Sequence, residues 1–247
     1  MSDRKPPLDL SPELNPALKF RSFDHRQSLE SGLCTHICDR LRRGIEQRGE
    51  AVLVVSGGRT PVALFQSLSQ QPLDWSRVQI TLADERWVPA DHADANERMV
   101  RQHLLQNRAA AARFVSLLNS AVTPHEGQVD VEQRLQVLPE LIDLGILGMG
   151  EDGHTASFFP HAEELAQALA PEPPAWCAAV TPPQAPWPRM TLTLPRLLAS
   201  RELVLHLYGE FKLPVLQAAL SEGTLEAMPV RALLRQSKTP VSIWWAP

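Results

Sequence analysis

A histidine two residues beyond an aspartate, set among three glycines, is the feature of this chain with the clearest capacity for chemistry. The stretch GMGEDGHTASFFP at 148–160 places Asp152 and His154 among Gly148, Gly150 and Gly153, directly after the apolar run LIDLGIL. An imidazole titrates near neutrality, and a neighbouring carboxylate can orient it and stabilise its charged form, so the pair suits general-base activation of a water. Glycines at that density imply close backbone approach to a ligand, or residues forced to positive φ. A solitary loop histidine ordinarily makes one structural hydrogen bond and nothing more. Here the glycine setting and the position after a strand turn the reading toward function.

Four other segments carry polar groups beside apolar runs. SGGRTP at 56–61 follows AVLVV, and its Gly57 and Gly58 let backbone amides approach an anion with no Cβ in the way. Ser56 and Thr60 add hydroxyls; Thr60 reads as a helix N-cap and Pro61 as the first helical residue, which would aim a helix N-terminus at that anion. The bland alternative is a tight turn that binds nothing. ADERWVP at 83–89 groups Asp84, Glu85 and Arg86, and DHADANERM beyond it supplies Asp94 and Asn96. Read blandly, these are surface ion pairs of little worth. PWPRMTLTLP at 186–195 puts Arg189 just before a strand. In YGEFKLPVL at 208–216, Lys212 opens a helix against its dipole, which is unfavourable unless an anion is bound there; otherwise it is a solvated lysine.

Other chemistries lack their residues. SGGRTP is neither a Walker A loop nor GxGxxG, and no G-x-S-x-G elbow occurs. His125-Glu126 and His161 have no second histidine at zinc-protease spacing, so no metal site is expected. Cys34, Cys38 and Cys177 are too few and odd in number for a disulfide framework and read as reduced, buried thiols. Net charge is −4 over 247 residues with the charges dispersed, so nucleic acid is not an expected partner. No run of about 18 apolar residues suggests a membrane span, and the N-terminal segment lacks the apolar core of a signal peptide. The expectation is a cytoplasmic protein without membrane contact, a monomer or weak homodimer.

These groups need a scaffold, and the pattern supplies one. Residues 28–48 carry Leu29, Leu33, Ile37, Leu41 and Ile45 at steps of four, a helical stripe. Strands are expected at 51–55, 78–85, near 114–118, at 141–150, in the proline-dense stretch Pro171–Pro188 as a short or edge strand, and at 190–194, 203–208 and 241–246. Helices are expected from 61, near 95–106 and 128–138, and at 195–200 and 211–221. Strands alternating with helices imply a mostly parallel sheet covered on both faces, a single Rossmann-like three-layer α/β/α sandwich over 21–247 after a flexible lead-in at 1–20. In such sheets, ligands bind beyond the carboxyl ends of the strands, where these motifs stand.

In this order, SGGRTP, ADERWVP, GMGEDGHTASFFP, PRMTLTLP and YGEFK, spread from about residue 50 to residue 215, resemble the 6-phosphogluconolactonase family. The resemblance implies a modified Rossmann-like sandwich related to glucosamine-6-phosphate deaminases. It implies hydrolysis of 6-phospho-D-glucono-1,5-lactone to 6-phosphogluconate in the oxidative pentose phosphate pathway, with no metal or organic cofactor. His154 would be the general base and Asp152 its partner, Arg86 and Asp84 would line the sugar and carbonyl end, and Gly57, Gly58, Arg189 and Lys212 would hold the phosphate, with Ser56, Thr60 and Asn96 beside them. Two positions depart from the pattern: Arg59 replaces a small hydroxyl residue, either turning outward or adding a phosphate contact, and Ala95 stands where serine is common. The rival on the same fold is a glucosamine-6-phosphate deaminase-like isomerase, which typically follows DGH with IAFNEP and carries DEY; this chain has TASFFP and DER. A non-catalytic sugar-phosphate sensor would need a DNA-binding module, for which there is no basic recognition helix.

Overall fold

The run Ala51–Val55 is buried at all five positions, so it requires cover on both faces, which a central parallel strand has and a surface strand lacks. The computed structural model describes residues 18–172 and 175–247 and meets that requirement. Its strands are β1 (Leu18–Ser22), β2 (Ala51–Val55), β3 (Val78–Leu82), β4 (Asp84–Arg86), β5 (Arg113–Val115), β6 (Leu144–Leu147), β7 (Cys177–Val180), β8 (Arg189–Leu192), β9 (Leu203–Tyr208) and β10 (Val241–Ala246). Its helices are α1 (Arg26–Arg48), α2 (Val62–Ser69), α3 (Asn96–His103), α4 (Pro124–Leu135), α5 (Leu165–Leu169), α6 (Leu194–Leu198), α7 (Lys212–Leu220) and α8 (Arg231–Arg235). The expected α/β sandwich is present, with helices on both sides of a parallel sheet ordered β1-β10-β9-β6-β2-β3-β5.

From β2 the chain moves outward through β3 to β5, then returns to lay β6 against the other side of β2 before continuing to β9 and β10. The order therefore reverses between β2 and β6, where the loops leaving the two carboxyl ends part and leave a crevice. α1 packs on β2, β6 and β10 with Leu29, Leu33, Ile37 and Leu41 buried as their spacing predicts. Gly49 ends the helix at φ +84°, donating its N–H to the Ile45 carbonyl at 2.8 Å, a left-handed cap that favours glycine. Cys34, Cys38 and Cys177 are free and buried.

Three sequence expectations need correction. The strand read over 78–85 is two strands: β3 stays in the parallel sheet, and after Ala83 the chain turns into β4 of a separate antiparallel sheet, β4-β8-β7. The proline-dense stretch does provide a short edge strand, β7, but in that second sheet. Of the lead-in at 1–20, residues 1–17 lie outside the described residues, and Leu18–Phe20 belong to β1, paired along β10 at the sheet edge. Thr60 is not the cap of α2: Pro61 occupies that position and no side chain caps the helix. No helix among the described residues is long and apolar enough to cross a membrane.

Candidate active site

β2, β3, β6 and β9 all release their chains at one edge of the sheet, and the residues that follow them converge on a cleft of about 280 Å³. Ser56, Gly57, Gly58 and Thr60 come from the turn after β2, and Asp84 and Arg86 from β4. Asn96 opens α3, His154 follows β6, Arg189 begins β8 and Lys212 opens α7; all ten line the cleft. Asp152 stands behind His154, whose Nδ1 lies 2.6 Å from the Asp152 carboxylate. The same oxygen accepts the His154 backbone N–H at 3.1 Å. With Nδ1 engaged, Nε2 is left as the nitrogen available to the cleft. Burial pushes the Asp152 carboxyl up, but the His154 hydrogen bond and charge outweigh it and hold it below the usual carboxylate range. Phe159 lies against the imidazole with ring centres 4.5 Å apart and carries the Arg189 guanidinium over its own ring at 5.5 Å.

The glycines are set by contact. A Cβ on Gly150 would stand 2.1 Å from His154 Nδ1 and 2.5 Å from Asp152 Oδ1, so only glycine admits the pair. A Cβ on Gly57 would stand 1.8 Å from Asn96 Oδ1. Asn96 is buried and donates through Nδ2 to the Asp84 carbonyl at 2.9 Å, tying the β2 turn to β4. Gly57→Ala is therefore expected to expel Asn96 from that bond and raise KM about tenfold, a loss of one buried hydrogen bond; steady-state kinetics beside a melting curve checks it, and an unchanged KM would show that Asn96 does not shape the turn.

The cations are held on carbonyls. Arg86 Nη1 donates to the Asp94 carbonyl at 2.6 Å and Arg189 Nη2 to that of Pro186 at 3.1 Å. Trp187 Nε1 donates to the Asp94 carboxylate at 3.0 Å, joining the two loops that carry these carbonyls. Lys212 Nζ donates to the Met149 carbonyl at 2.7 Å. Burial lowers both Arg189 and Lys212 from their ordinary values, opposed by Asp84 at the first and by Glu151 and Asp152 at the second. Arg189 Nε and Ser56 Oγ are buried with no hydrogen-bond partner, donors left over for something in the cleft. Asp84 is buried and accepts from Ser157 Oγ through Oδ2 at 2.7 Å. Arg59 is exposed and outside the cleft lining, so it turns outward.

Sequence reasoning missed three contributors. Glu85 is fully buried and binds three backbone amides at the base of the site. Phe159 was visible only as part of SFFP. His206 lines the cleft from within β9, and a lone polar residue near the end of an otherwise apolar strand was the available signal.

Fold and site together define an α/β enzyme whose cleft opens at the carboxyl ends of a parallel sheet. Residues 24–244 match the family of glucosamine-6-phosphate isomerases/6-phosphogluconolactonase, and the chain belongs to that family. A 6-phosphogluconolactonase of Pseudomonas aeruginosa is 45% identical over 216 residues, which cover 87% of this chain and 90% of that protein. One from Mesorhizobium japonicum is 42% identical over 228 residues, 92% of this chain and 95% of the relative. The crystal structure of a 6-phosphogluconolactonase from Shewanella baltica superposes with a TM-score of 0.91 at 48% identity, covering 93% of this chain and 98% of that one.

Proposed function

We propose that the chain hydrolyses 6-phospho-D-glucono-1,5-lactone to 6-phospho-D-gluconate, with His154 as general base. The observation that carries the reading is the His154–Asp152 pair at 2.6 Å facing a cleft whose other walls supply a glycine turn and two half-buried or buried cations. His154 Nε2 takes a proton from water as its oxygen attacks the lactone carbonyl carbon. Negative charge gathers on the carbonyl oxygen, where the Arg86 guanidinium would meet it; donors so placed are worth on the order of 10²–10³ in rate. As the intermediate collapses, the ring C–O bond breaks and the proton passes from His154 to the departing ring oxygen. No covalent intermediate is needed, because a lactone is already an activated ester. Asp84, engaged through Oδ2, keeps Oδ1 for a sugar hydroxyl. Gly57 and Gly58, with Arg189 and Lys212, hold the phosphate.

The same reading places the enzyme in the cytoplasm as a monomer or weak homodimer, with neither metal nor organic cofactor. The test is 6-phosphogluconate formation from freshly generated lactone, measured above the spontaneous rate. Failure of folded protein to accelerate it, with ammonia released from glucosamine 6-phosphate instead, would move the chain to the isomerase branch of its family. Arg189→Ala and Lys212→Ala are each expected to raise KM for the phosphorylated lactone about 10–100-fold, the worth of a charge-assisted hydrogen bond, with a smaller effect on kcat. Wild-type KM in both variants would place the phosphate elsewhere.

A further inference from the structure

We infer that His206 is a phosphate-binding residue of this cleft, donating a hydrogen bond to the substrate phosphoryl group from the side opposite the Ser56–Thr60 turn. This rests on the lactonase reading above. His206 is 5% exposed, lines the cleft and makes no side-chain hydrogen bond among the described residues. A buried imidazole has a donor and an acceptor to satisfy, and leaving such a group unmet costs on the order of 1–3 kcal/mol. An apolar residue would fill this strand position without that cost. Ser56 Oγ, a buried hydroxyl with no partner, lines the same cleft.

The register explains what lies between them. Val55 pairs with Ile146 and Leu147 with Leu205, so β6 lies between β2 and β9, and the turn after β2, Gly148 just past β6 and His206 of β9 stand in a row across the carboxyl ends of the three strands. Adjacent strands of a parallel sheet are about 4.8 Å apart. The glycine turn and His206 therefore stand roughly 10 Å apart along the row. Between them is Gly148, where a Cβ would meet nothing within 4 Å. The row thus leaves open space flanked by the amides of the turn on one side and an imidazole on the other. A phosphoryl group fills such a space and takes donors from both sides, as an uncharged sugar carbon would not.

Arg26 fixes the electrostatics. Its Nη2 donates to the Thr60 carbonyl at 3.0 Å and its guanidinium lies over the Tyr208 ring at 4.6 Å, so its charge stands beside both the turn and His206. Burial first, and Arg26 second, push the His206 imidazole down to about 4. At neutral pH it is a neutral ring with one N–H to give, and Arg26 adds to the positive potential around a bound dianion.

The test compares wild type with His206→Phe, which keeps the ring and removes both nitrogens, on 6-phosphogluconolactone and on unphosphorylated glucono-1,5-lactone. The expected result is a fall in kcat/KM on the phosphorylated lactone of about tenfold or more, chiefly through KM, with a much smaller fall on the unphosphorylated one. His206→Asn, which restores a donor, should recover part of the KM. Equal losses on both lactones, or an unchanged KM in folded His206→Phe, would overturn the proposal and leave His206 a packing residue. If neither variant folds, ¹⁵N-histidine spectra of the wild type decide: saturating inorganic phosphate should shift the His206 ring nitrogens, and unmoved signals would overturn it. A wild type inactive on the phosphorylated lactone would instead count against the functional reading, and the phosphate titration would still judge His206.

Discussion

His154→Ala is expected to lower kcat for lactone hydrolysis by about 10²–10⁴, the usual contribution of a positioned general base, while the fold persists. The imidazole is partly exposed in a loop and bonds to Asp152, as does the His154 backbone N–H, a bond that alanine retains. Little core packing is lost beyond the contact with Phe159. The melting temperature should therefore move by no more than a few degrees. KM should change little, because the phosphate and sugar contacts proposed above lie on other elements. Turnover above the spontaneous rate is the quantity to follow, since lactones also open unaided. A variant with undiminished kcat would remove His154 from the mechanism and leave the cleft without its base; a fall in kcat accompanied by loss of structure would show that the pair holds the loop rather than the reaction.

The sequence made the scaffold legible where burial is two-sided or strictly periodic. Ala51–Val55 is an uninterrupted apolar run and Val241–Ala246 is one broken only by Ser242, and both are strands with every position buried. α1 carries its apolar stripe at steps of four from Leu29 to Ile45 and ends at Arg48 as read, beginning two residues earlier, at Arg26. β1 escaped notice because an edge strand of five residues with alternating, partial burial carries no such run, and it follows a proline-rich segment. The second sheet escaped for another reason. VQITLADE holds neither glycine nor proline to mark where β3 ends and β4 begins, so the chain changes partners at Ala83 without local punctuation. What sends it across is tertiary: Ala83 O accepts the Leu192 N–H at 2.8 Å, docking the strand onto β8.

The site was legible in proportion to how far each residue breaks a local rule. Glycines crowded around a histidine, and a lysine opening a helix, conflict with local preference, and such conflicts concentrate where function resides. Asp84, Arg86, Asn96 and Arg189 break no rule alone and became visible only as members of ordered motifs. Glu85 looked like a surface charge between two others. Only the three-dimensional packing reveals it as fully buried, because nothing in DER says which of three consecutive charges points inward.

That buried carboxylate carries the second large prediction: Glu85→Ala is expected to destabilise the protein by on the order of 3 kcal/mol and to raise KM as well. Glu85 Oε1 accepts the backbone N–H of Arg86 at 2.6 Å and of Asn96 at 2.7 Å, and Oε2 accepts that of Glu97 at 2.6 Å. The last two are the opening amides of α3, whose own cap position, Ala95, offers no side-chain acceptor. Glu85 thus does from β4 what a serine would do locally, which accounts for the tolerance of alanine at 95. Removing it orphans buried amides and frees Asn96, the residue wedged against Gly57, so the turn proposed to cradle the phosphate loosens with the helix. For a chain of this size the stability loss corresponds to roughly 6–12 °C in melting temperature. The pH dependence has a definite sign. Burial pushes the Glu85 carboxyl up to about 7, with Asp84 adding to the rise and the three amides opposing it. The folded protein therefore binds this proton more tightly than the unfolded chain, and wild-type stability attributable to Glu85 should decline as pH rises from about 4.5 toward 7. Glu85→Ala lacks that term. Denaturant titrations of both proteins at several pH values read the difference directly: a gap between them that narrows toward pH 7 supports the argument, and one that stays constant means the carboxylate is ionised throughout and its amides, not its burial, set its proton affinity.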